Sequence, residues 1–112
     1  MMYLDNEFDN KLKINVNHDG VQYHSFRFLA IRCMYCNELE SNDKLILCNL
    51  ILYGDKNDFT FNILKIRTSL TTIEIRRSVN TLEMLGYINV ASWGNIDIKA
   101  SRIVNMGTVD AL

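Results

Sequence analysis

Leu70-Thr71-Thr72-Ile73-Glu74-Ile75-Arg76-Arg77-Ser78-Val79-Asn80-Thr81-Leu82-Glu83-Met84-Leu85-Gly86-Tyr87-Ile88 carries the densest set of structural signals in the chain. It opens on a capping box, in which the Thr71 hydroxyl accepts from the Glu74 amide and the Glu74 carboxylate reaches back to the Thr71 amide. Leu70 and Ile75 stand at the two positions of a hydrophobic staple. Ile75, Val79, Leu82 and Leu85 follow at intervals of four, three and three, which is one apolar face of a helix over about 71–85. Gly86 ends that helix as a left-handed cap. Residues 87–90 and 96–99 then alternate around Ser92-Trp93-Gly94-Asn95, the pattern of a β-hairpin over about 87–100.

Upstream of this segment, Thr60 can cap a helix through about Arg67 that turns Phe61 and Leu64 inward, with Ile63 or Ile66 beside them. Gly54-Asp55-Lys56-Asn57-Asp58 is a polar loop, and Gly54 stands where a helix C-cap glycine belongs. The helix before it, from about Asp43 to Tyr53, is apolar nearly all round and is expected at the centre of the core. Phe26, Phe28, Leu29, Ile31, Cys33, Met34 and Cys36 predict a largely buried helix from a Ser25 cap to about Glu38. Lys11 to Val16 alternates polar and apolar, and Asp19-Gly20 signals a turn before Val21-Gln22-Tyr23. Residues 1–24 therefore read as an N-terminal arm or a short hairpin, behind an acidic lead-in. The expected fold is α+β, mainly α with a small β-hairpin, with one domain over residues 25–112.

The chain has 112 residues, 48% hydrophobic and 22% charged, which suits one compact domain. No apolar run approaches the roughly 20 residues that span a bilayer, so no membrane partner is expected. The first residues lack the basic-then-apolar order of a signal peptide, and three cysteines make no disulfide framework, so a cytoplasmic setting is expected. Net charge is −1, but it is unevenly spread. Residues 1–59 carry Lys11, Lys13, Arg27, Arg32, Lys44 and Lys56 against nine acids, a balance of −3. Residues 60–104 carry Lys65, Arg67, Arg76, Arg77, Lys99 and Arg102 against Glu74, Glu83 and Asp97, a balance of +3. A local basic face matters more to phosphate binding than total charge.

The chemistry of an enzyme is missing. Gly-rich phosphate loops, a nucleophile elbow and paired catalytic carboxylates do not occur. Cys33-Met34-Tyr35-Cys36 has C-x-x-C spacing, but a zinc site needs a second close pair, and Cys48, His18 and His24 do not supply one. On an apolar helix these cysteines read as core residues, with redox or metal sensing as the alternative. Asp55 and Asp58 lack the remaining ligands of a calcium loop. No cofactor or metal is expected.

Segment 60–100 resembles the winged helix-turn-helix of bacterial DNA-binding proteins of the MarR and ArsR type. The residues that carry the resemblance are the polar turn, the Thr-capped helix, and Leu82-Glu83-Met84-Leu85-Gly86-Tyr87-Ile88 leading into a short wing. Lys65 departs from the small residue usual at its position, and Ser69 from the usual turn glycine. The resemblance implies a recognition helix over 71–85 and a wing over 87–100. On that helix Thr72, Ile73, Arg76, Arg77 and Asn80 are assigned to the outer face, where arginine can meet guanine, asparagine adenine and isoleucine a thymine methyl. Thr71 and Thr72 at the helix N-terminus suit phosphate. Trp93, Asn95, Lys99 and Arg102 are the wing candidates for backbone or minor groove. A plainer reading stays open, with the arginines as a solvated face and Trp93 folded onto the core.

The partners implied are double-stranded DNA and a second copy, since symmetric dimers are the rule for one small recognition helix. The apolar first helix and the N-terminal arm are the expected dimer surface. Residues 103–112 are too few for the long C-terminal dimerisation helix of the MarR type. Two roles fit: a small transcriptional repressor, or a centromere-binding adaptor similar to the TubR family, which would add a tubulin-like partition GTPase as partner. A winged-helix module that docks proteins without binding DNA is the alternative.

Overall fold

A computed structural model describes residues 11–19, 26–54, 56 and 58–104. Strand β1 is Asn15–Asp19. Four helices follow: α1 Phe26–Met34, α2 Ser41–Tyr53, α3 Phe61–Thr68 and α4 Thr72–Met84. Strands β2 (Ile88–Ser92) and β3 (Asn95–Lys99) form a hairpin, and a short α5 (Ala100–Val104) closes the described chain. The architecture is α+β: helices packed around one side of a three-stranded sheet. The expected Ser25 cap, the 21–23 strand, His24, the acidic lead-in 1–10 and Asp55 lie outside the described residues, as does the side chain of His18.

Helix α2 lies at the centre of the core, with Ile46, Leu47, Leu50 and Ile51 all buried. It starts on a capping box made by Glu40 and Asp43. Helix α1 is shorter than expected. It ends at Met34 because the chain tightens there, with the Tyr35 and Cys36 amides donating to the Arg32 and Cys33 carbonyls. Lys44 of α2 satisfies the freed Met34 carbonyl at 3.1 Å. Nor is α1 largely buried: Leu29, Ala30 and Cys33 face inward, while Phe28, Ile31 and Met34 face solvent.

The thiols divide otherwise than their spacing suggests. Cys36 is buried with its Sγ 3.5 Å from the Tyr87 hydroxyl, whereas Cys33 faces Cys48 across the α1–α2 contact. The hydrogen bond with Cys48, together with burial, pushes the Cys33 thiol far above its ordinary range. That same bond, aided by the Lys44 ammonium, holds Cys48 below its ordinary value. Among the described residues no group of three His, Cys, Asp or Glu side chains is arranged to hold a metal ion.

The N-terminal arm does not fold back as its own hairpin within the described residues. Instead β1 runs parallel to β3, from Asn15 opposite Asn95 to Asp19 opposite Lys99, giving the order β1-β3-β2. Ahead of it, the Ile14 amide donates to the Phe59 carbonyl and the Phe61 amide to the Leu12 carbonyl. The arm is thereby laced to the entrance of α3. Gly54 is not a left-handed cap, since its φ is −68°. It must be glycine because β1 presses on it: a Cβ there would come within 2.4 Å of Val16 Cγ2 and of the Leu50 carbonyl oxygen.

Candidate nucleic-acid interface

The site is built on α3, a three-residue turn and α4. Thr60 caps α3, its hydroxyl accepting from the Ile63 amide at 3.2 Å, and Phe61 and Leu64 anchor the helix in the core. Ile63 is half-buried, whereas Ile66 is exposed. Ser69 ends α3 in the left-handed region at φ +61°, donating its amide to the Lys65 carbonyl at 2.8 Å. The Thr68 hydroxyl bridges the turn, donating to the Leu64 carbonyl and accepting from the Leu70 amide. Ser69 thus takes the conformation that glycine normally supplies at such a turn.

Helix α4 begins with the reciprocal Thr71–Glu74 box, at 3.2 and 2.9 Å. It ends in a Schellman motif: Gly86 has φ +86°, its amide donates to Glu83, and the Tyr87 amide donates to Leu82. Leu82 and Tyr87 are both fully buried, which supplies the apolar contact of that motif. The Glu83 carboxylate then accepts from the Val90 amide at 3.0 Å, fixing the hairpin to the helix.

Of the residues assigned to the outer face, Ile73, Arg76, Arg77 and Asn80 are exposed, with Ile73 at 48%. Thr72 is not. It is 4% exposed because it lies three residues before Ile75, on the same face. Thr71 is exposed, but its hydroxyl and amide are already used in the capping box. Asn80 makes a weak contact with Met84 Sδ at 3.8 Å.

Arg76 and Arg77 diverge. The Arg76 guanidinium lies 4.5 Å from the Trp93 ring centroid. Trp93 is half-buried and meets Phe61 edge-on at 5.4 Å, so it folds back onto the core and supports Arg76 from beneath. Arg77 instead borders a polar cleft of about 240 Å³ lined by Glu38, Glu40, Asp43 and Glu74. Among the described residues, the carboxylates that line this cleft lie on the Arg77 flank of α4.

The wing candidates separate in the same way. Asn95 is exposed beside the Trp93–Gly94 turn, donating to the Ser92 hydroxyl at 2.7 Å and accepting from Asn15. Lys99 lies at the far end of β3, about 13 Å along the strand from Asn95. Arg102 is further from the turn, at the C-terminal end of α4. Its guanidinium bonds the Leu85 carbonyl and Glu38, at 3.2 and 2.8 Å, and covers the Tyr87 ring. Arg102 fastens the fold, about 20 Å from Thr71 along α4, and does not join the candidate interface.

The arm was expected at a dimer surface, and none of its residues was expected at this site. Lys11 and Lys13 are exposed, and the Lys13 carbonyl lies 3.0 Å from where a Cβ on Gly94 would stand. The Asn15 amide donates to the Gly94 carbonyl at 2.7 Å. Lys13, Asn15, Asn95 and Arg76 thus gather around the hairpin turn. The alternation of residues 11–16 signalled a strand with Lys11, Lys13 and Asn15 on its polar face, but nothing local signalled its partner.

Compared with protein-family models, curated proteins and solved structures, the chain matches none of them. No helix among the described residues is long and apolar enough to cross a membrane.

Proposed function

We propose that this chain is a winged helix-turn-helix protein that binds double-stranded DNA, with α4 in the major groove and the hairpin as its wing. The observation that carries the reading is the join between α3 and α4: three residues, a left-handed Ser69, and then a doubly capped helix with Ile73, Arg76 and Asn80 outward. Those three side chains offer a methyl contact, a bidentate donor for guanine and a bidentate amide for adenine. Trp93 holds Arg76 in place, which reduces the ordering cost of a contact. Lys11 and Lys13 extend the basic edge past the wing turn, where phosphates would run. The role is that of a small cytoplasmic regulator or of a partition adaptor.

The test is fluorescence anisotropy of the purified protein on duplexes flanking its own gene, across a salt series. The expected result is sequence-preferring binding that weakens as salt rises, with a slope of about −0.9 per phosphate neutralised. One complex per site marks a regulator, and cooperative coating of repeats marks an adaptor. Absence of binding at low salt contradicts the proposal and leaves α4 as a protein-docking surface.

A further inference from the structure

Helix α1 exposes apolar side chains that its own fold does not cover. Phe28, Ile31, Met34 and the following Tyr35 are 44%, 45%, 61% and 65% exposed, and Leu45 of α2 lies beside them at 42%. At about 100° per residue, Arg27, Phe28 and Met34 all fall within about 60° of Ile31, and Tyr35 follows just past the end of the helix. With roughly 200 Å² for a large side chain, five at about half exposure present on the order of 500 Å² on one face. Single exposed apolar residues are ordinary, but a contiguous face of this size marks an interaction surface.

The order of residues along the stripe identifies its occupant. A two-fold contact demands a surface complementary to itself. If two α1 helices lie antiparallel with the axis at Ile31, residues whose numbers are equally spaced from 31 meet. Ile31 then meets its own copy. Phe28 meets the partner's Met34, an aromatic–thioether contact. Arg27, which is exposed, then lies at the edge of the contact, towards the end of the partner's α1. Met34 also borders an open groove of about 460 Å³, lined with Leu45, Lys44, Ser41 and Cys48. The same symmetry brings the partner's Phe28 to the mouth of that groove. Met34 and Leu45 belong to both stripe and groove, so the two together offer on the order of 600 Å² per copy, the low end of what a stable interface buries.

We infer that two copies of this chain pair through α1, antiparallel about a two-fold axis at Ile31. The inference rests on the α1 face alone and stands whether or not α4 reads DNA. It is tested by sedimentation equilibrium of the full chain and of Ile31→Glu across micromolar concentrations. The wild type is expected at twice the chain mass, and the variant, which carries the change twice per dimer, at a dissociation constant raised at least about 100-fold. Because Ile31 is half-exposed, Ile31→Glu should keep its far-UV circular dichroism. A second measurement does not depend on that variant folding. Ile31→Cys in a Cys48→Ser background, oxidised with diamide, should cross-link to itself, while Ile66→Cys in the same background should not. A monomeric wild type, or a dimer that survives Ile31→Glu, or equal cross-linking at both sites, overturns the inference. The stripe would then be covered by residues 1–10 or 105–112 of the same chain, or by another protein.

Discussion

Arg76 and Arg77 are neighbours in sequence and about 100° apart on α4, and the difference decides what each can do. Arg76 rests on Trp93 at the hairpin turn, away from the carboxylates of the cleft. Arg77 lies among Glu38, Glu40, Asp43 and Glu74, whose charge opposes any phosphate approaching from that side. Arg76→Ala should therefore weaken DNA binding by about 1–3 kcal/mol and relax preference at one base pair. Arg77→Ala should cost about threefold or less, since the carboxylates lining the cleft beside it keep phosphate away. Anisotropy on one duplex checks both, and equal losses would contradict the assignment. Ser69 carries a second prediction at this scale. An L-residue in the left-handed region costs roughly 1–2 kcal/mol, and glycine removes that cost against a smaller entropy loss. Ser69→Gly should stabilise the fold by about 0.5–1 kcal/mol, seen as a melting temperature raised by a few degrees.

At the scale of elements, what was legible followed from local physics. The bounds of α3, α4 and the hairpin follow from Thr60, Thr71, Glu74, Gly86 and Gly94, each of which acts on its own neighbours. The early end of α1 was not legible, because Cys36 continues the apolar pattern while the chain turns to seat it against Tyr87. Thr72 shows a different miss: its spacing to Ile75, Val79 and Leu82 already put it on the buried face, and its position at the helix start obscured that. The parallel pairing of β1 with β3 joins residues 80 positions apart and leaves no local trace except Gly54. Gly54→Ala should destabilise by about 1–3 kcal/mol through overpacking against Val16 and Leu50, measured as a lower urea midpoint. A neutral effect would mean that β1 does not press on α2.

For the whole molecule, the charge asymmetry read along the sequence is only partly the asymmetry of the surface. Arg102 and Arg77, counted as basic residues of segment 60–104, sit with Glu38 or beside the acidic cleft. Lys11 and Lys13, counted within the acidic first part, stand exposed on the arm that runs past the hairpin turn. Folding thus moves the basic edge from α4 alone to the seam between α4, the hairpin turn and the arm. The α1 stripe lies on a separate helix whose exposed face is apolar, so pairing and DNA binding need not compete for the same side chains.

The measurement that tests this most directly is amide chemical-shift mapping of the labelled protein titrated with its bound duplex. DNA binding through α4 and the hairpin turn should concentrate the shifts at Thr71 to Asn80, at the Trp93–Gly94 turn with Asn95, and at Lys11 to Asn15, with Glu38, Glu40 and the α1 amides little changed. Shifts centred on α1 or on the acidic cleft, with α4 and the turn silent, would contradict it.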